Sequence, residues 1–182
     1  MLAYAAATGA PPSSWTREPE KVFGFSLGAP LPDSIDCPPR YSAMMAARDS
    51  ACVRRKEGRD DLVELDGLPN VGFFIESTGY LEGGRLRMIA LSIDQKDFAR
   101  LMDIMIERYG KPTNGEVGAV TNKLGAQARN VQMIWAGRKL TIIAIERAGQ
   151  MNRSFVTFED NEMGRESRKA KRDSIKGAAS KF

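Results

Sequence analysis

The residues able to carry chemistry in this chain are defined first by a gap. There is no histidine, which removes the commonest general base and the commonest metal ligand. No Ser-His-Asp or Cys-His nucleophilic site can be assembled. Two cysteines cannot supply a four-thiolate zinc site. Neither G-x-x-x-x-G-K-[ST] nor G-x-G-x-x-G occurs. Asp, Glu, Lys and Tyr remain for acid–base work, but none sits in a catalytic motif. The expectation is a binding protein without catalytic residues, metal ligands or a cofactor.

Cys37 and Cys52 bracket the segment CPPRYSAMMAARDSAC. In an oxidising compartment their bridge would close this loop and contribute roughly 3 kcal/mol. The alternative is two unrelated buried thiols. Pro38, Pro39, Arg40, Arg48 and Asp49 make poor core material, which favours the disulfide. Next to Cys52, Arg54, Arg55 and Lys56 form a basic cluster with Arg59. They are candidates for holding an acidic partner or a phosphate, weighed against a solvated loop already balanced by Glu57, Asp60 and Asp61. Asp60, Asp61, Glu64 and Asp66 offer oxygens but lack the calcium-loop register. Trp15, in a Pro/Ser-rich lead-in, either docks on the domain or anchors a partner. Trp135 precedes a turn and is expected to pack at the sheet edge, with its indole N–H bonded or wet.

The charge is uneven. The chain carries 27 Lys and Arg against 23 Asp and Glu, but residues 163–182 hold 7 of the former and 2 of the latter. The rest is therefore near neutral, which argues against a folded nucleic-acid surface. Arg168, Lys169, Lys171, Arg172 and Lys176 make the tail a candidate anion-binding segment for nucleic acid or anionic membrane. A solubilising tail is the alternative. At the other end, Ala3-Tyr4-Ala5 and Ala5-Ala6-Ala7 fit the small-residue pattern before a signal-peptide cut. No apolar run approaches the length of a membrane-spanning helix.

Elements must position these groups. Gly83-Gly84 between Tyr80-Leu81 and Arg85–Ile93 signals a hairpin. The middle of Arg85–Ile93 is apolar on both faces, which places it centrally in a sheet. Phe98, Leu101, Met102, Met105 and Tyr109 recur at helical spacing, from an Asp94 cap to a Gly110 stop. Strands are expected at Val22–Leu27, Cys52–Arg55, Leu62–Leu65, Val71–Ser77, Asn130–Trp135, Lys139–Glu146 and Ser154–Glu159, and a helical turn or two at Arg40–Ala47. The fold class is α+β: a mostly antiparallel sheet with one long helix packed across one face, in two layers, with short extra elements and a basic tail. The expected organisation is a leader or extended segment over 1–21, one domain over 22–162, and a flexible or helical tail over 163–182.

FGFSLGAPLPDSIDC…ACV resembles the opening of a group of exported proteobacterial proteins. These join a G-x-x-L-G-x-P-L phrase to a Pro-flanked Cys and a second Cys. RLRMIALSI, a helix ending in Tyr-Gly-x-Pro (Tyr109, Gly110, Pro112) and a hairpin carrying Trp135 are similar to the same group. The resemblance implies a periplasmic α+β domain akin to small outer-membrane-assembly or β-lactamase-inhibitor-like modules, and supplies no catalytic residues. The expected function is a periplasmic or secreted binding or assembly-accessory domain whose partner is another protein. The alternatives are a toxin-neutralising or enzyme-inhibiting protein, and a cytoplasmic protein whose tail binds nucleic acid.

Overall fold

A computed structural model describes residues 15–31, 37, 51–122 and 124–179. The leader pattern at 3–7 and the helical turn expected at Arg40–Ala47 lie outside the described residues. The elements run β1 (Cys52–Lys56), β2 (Arg59–Asp66), β3 (Glu76–Glu82), β4 (Arg85–Asp94), a 3-10 turn (Gln95–Asp97), α1 (Phe98–Tyr109), β5 (Asn114–Thr121), β6 (Gln127–Ala136), β7 (Leu140–Ile145), β8 (Arg153–Asp160) and α2 (Asn161–Ala179).

The eight strands form one open sheet in the order β1-β2-β3-β4-β8-β7-β6-β5, with every pair antiparallel. Two four-strand meanders, each followed by a helix, therefore meet where β4 pairs with β8. Gly83 and Gly84 both have positive φ (58° and 75°), the backbone a tight two-residue hairpin demands. Tyr80 pairs with Met88 and Leu81 with Leu86, leaving Arg87 as a bulge residue.

One face of the sheet carries the core: Val53, Val63, Leu65, Ile89, Leu91, Ile93, Val131, Trp135, Ile142, Val156 and Phe158 are all buried. The apolar stripe of α1 belongs to the same core, and the Tyr109 ring meets Phe158 edge-on at 6.0 Å. Two helices are present among the described residues, the second over the segment expected as a flexible or helical tail. The second, α2, spans 19 residues and buries only Met163 and Gly164.

Some elements depart from expectation for local reasons. Val22–Leu27 is not a strand but a turn closed by a Val22–Phe25 bridge. Phe23 and Gly24 both take positive φ there, which doubles the chain back and buries Val22 and Phe25. β3 starts at Glu76 rather than Val71, because Asn70 Oδ1 accepts the Gly72 N–H at 2.9 Å in a turn that holds residues 70–72 out of the sheet. Asp94 does not cap the helix with its side chain; its carboxylate pairs with Arg153 at 3.3 Å. Gly110 does stop α1, with φ 80° and its N–H on Ile106 O. No described helix is long and apolar enough to cross a membrane.

Candidate functional site

Alternation puts every second side chain of the sheet on the face away from the core. The pairing registers order that face into rows. One row runs Thr78, Ala90, Thr157, Ile143 and Ile134. The next holds Ser92, Phe155 and Ile145, and on the other side lie Tyr80 and Met88. These residues are half-buried, whereas their alternates in β7 and β8 are buried. The middle of the face is thus an apolar band with interspersed hydroxyls.

Ion pairs close both ends of the band. At one end the Arg153 guanidinium donates to Ser92 Oγ at 2.6 Å and meets Asp94 and Glu76. At the other, Arg87 bonds Glu159 at 2.8 Å and lies 3.3 Å from Glu82. The first turns of α2 join this end through Arg168–Glu159 (3.2 Å) and Arg85–Glu166 (3.7 Å). At Gly164 the helix comes close to the Glu159 carboxylate, which would have to shift to admit a Cβ. The rim charges are thus paired within the domain, with one carboxylate in excess at the Arg153 end, and the band can take an apolar or mixed surface with hydroxyls available for hydrogen bonds.

The sequence-derived candidates fall elsewhere. Cys37 and Cys52 are joined in a disulfide with Cα atoms 5.0 Å apart, and the Cys37 N–H donates to Val53 O at 2.7 Å. Arg54 bonds Asp66 at 2.7 Å, and Arg55 is exposed on the same edge strand. Lys56 ends β1, and its side chain lies outside the described residues. Of the acidic group, Asp61 is paired with Arg59, whose hydrogen bond holds its carboxyl below the usual range. No three metal-ligating side chains come together among the described residues. Arg168, Lys169, Lys171, Arg172 and Lys176 are all exposed on α2.

Trp15 and Trp135 converge on the C-terminal end of α1. The Trp135 indole N–H donates to Gly110 O at 2.7 Å and that of Trp15 to Tyr109 O at 2.6 Å. Arg17 donates to Glu107 O at 2.8 Å, so three side chains satisfy carbonyls that a helix end leaves open. Trp135 is fully buried on β6, one strand in from the edge, and has no surface to offer a partner. Trp15 docks on the domain, edge-on to Tyr109 at 6.3 Å. Burial pushes the Tyr109 phenol above its ordinary value, opposed by Arg108.

Sequence reasoning missed Glu18. Its carboxylate accepts the N–H groups of Arg138, Lys139 and Leu140 at 3.1, 2.6 and 2.7 Å, capping the β6–β7 turn. Gly137 has no room for a side chain because Glu18 and the Trp15 ring occupy that space. The partners lie 120 to 122 residues apart in sequence, so no local pattern marks them. It also missed the outward band as a surface, since the same alternation signals burial on both sides. No family model, curated protein or solved structure matches the chain.

Proposed function

We propose that this chain is a non-catalytic binding or assembly-accessory domain of an oxidising compartment, periplasmic or extracellular, that receives another protein on the outward face of its sheet. The observation carrying this reading is the half-buried band from Thr78 to Ile134, bounded by ion pairs within the domain. A contiguous apolar surface with a polar rim is the usual anatomy of a protein contact. In this reading α1 lies across the opposite face in two layers, which the Tyr109–Phe158 ring contact supports. The Cys37–Cys52 bridge supports the compartment, as does the resemblance to exported proteins.

The test is site-specific photo-crosslinking in the source cells. A benzophenone amino acid at Thr157 should give an adduct with a second protein, identified by mass spectrometry. The same probe at Ile104, on the outer side of α1, should not. Equal adduct patterns at both positions, or none at Thr157, would overturn the reading.

One observation favours a second reading. Helical spacing places Arg165, Lys169, Arg172 and Lys176 along one side of the exposed α2. That stripe would engage a polyphosphate backbone by charge alone.

A further inference from the structure

The two edges of the sheet are finished differently. The β1 edge is short, and its Val53 carbonyl is taken by the disulfide-held Cys37. The β5 edge, NGEVGAVT, is 8 residues long and contains neither Lys nor Pro. Nothing among the described residues pairs with its outer side. Long edges without such protection are templates for strand addition.

The register identifies the unpaired groups. Asn122 N–H donates to Ala126 O across the β5–β6 turn, and Glu146 N–H donates to Val131 O across β6–β7. Inward and outward bonding alternate along an antiparallel ladder. Gly118, Glu116 and Val120 therefore bond β6, while the N–H and C=O groups of Val117, Ala119 and Thr121 and the Gly115 C=O point outward; the Gly115 N–H donates to Asn114 Oδ1 at 2.7 Å. Asn122 Oδ1 also accepts the Leu124 and Ala126 N–H groups, both at 2.9 Å, so the hairpin end is held in place. Two of the large apolar side chains the protein exposes, Val117 at 65% and Leu124 at 93%, lie on this hairpin.

We infer that β5 pairs with β5 of a second copy of this chain, antiparallel about a twofold axis at Gly118, joining two sheets into one. In this register Val117 faces the partner's Ala119, and Gly115 faces its Thr121. About six new backbone hydrogen bonds result, using the outward groups from the Gly115 C=O to the Thr121 N–H. Glu116, the strand's one charge, lies opposite Val120 rather than its own copy, so no like charges meet. The strand thus matches itself without opposing like charges or two bulky side chains, and this self-compatible register points to a second copy as the occupant.

The test uses the full disulfide-bonded chain. Sedimentation across a concentration series should show a species of twice the 20.0 kDa chain mass. Ala119→Pro, which removes only an outward N–H, should sediment as a monomer with unchanged far-ultraviolet dichroism. Mild oxidation should crosslink Gly118→Cys, whose Cβ meets nothing within 4 Å, at least tenfold faster than Glu116→Cys. A monomer at every concentration, or a dimer with equal crosslinking at both positions, overturns the proposal. A peptide partner at this edge would give the monomer result. Thr157 adducts with another protein are read separately, so the fates of the two proposals are distinguishable.

Discussion

Helices α1 and α2 occupy equivalent places in the chain, each following the last strand of a four-strand meander, yet they meet opposite fates. α1 buries Phe98, Leu101, Met102, Met105 and Tyr109 among its 12 residues. α2 buries Met163 and Gly164 among 19, both within its first turn. Their C-terminal ends differ as well: Trp15, Trp135 and Arg17 hold that of α1, while residues 168–179 of α2 are exposed throughout. Connectivity thus brings a helix to the sheet but does not seat it. Seating requires an apolar stripe, whose burial outweighs the entropy of fixing the helix.

The comparison breaks most visibly at Leu101, which is 4% exposed. Leu101→Ala should destabilise by about 2–5 kcal/mol through lost burial and a residual cavity, measured by urea unfolding. A change below about half a kcal/mol, ordinary for a surface site, would refute the core assignment.

A smaller effect is expected where the segment flanking the α1 end meets the β6–β7 turn. Glu18→Ala leaves the N–H groups of Arg138, Lys139 and Leu140 without their acceptor. It should cost about 1–3 kcal/mol, with amide exchange rising at residues 138–140. Unchanged exchange there would remove Glu18 from the cap.

The smallest effect belongs to α2. Lys169→Glu, Arg172→Glu and Lys176→Glu together should shift stability by no more than about half a kcal/mol, as these side chains are exposed. The same triple variant should lose whatever salt-sensitive affinity the chain has for duplex DNA, followed by fluorescence anisotropy at two salt concentrations. Binding that survives the substitutions would end the second reading.

The elements that build the core were the legible ones. Gly83-Gly84, the both-sided apolar runs of β4 and β7, and the helical spacing of α1 are local signals, and each matches an observed element. β5 was not legible. Asn114, Gly115, Gly118 and Thr121 carry no alternation, and this strand forms because β6 presents a backbone ladder to it. Val71–Ile75 has strand composition, but Asn70 and Gly72 turn it aside, and Phe73 instead packs beneath the Arg100 guanidinium at 5.8 Å. The outward band was visible only as ambiguity. Ile143 and Ile145 suggested a strand covered on both sides, and no covering element follows from the local sequence.

The place of β8 bears on how the molecule is made. It pairs with β4 on one side and β7 on the other, yet it is the last strand among the described residues. Each meander can form from neighbouring segments, a fast and local process. The union of the two must wait for residues 153–160, because Met88 meets Glu159 across the seam. Until then β4 and β7, the most apolar strands, stay unjoined. A nascent chain halted before Arg153 would hold a β1–β4 meander with an open β4 edge beside an unfinished β5–β7 meander, prone to aggregation.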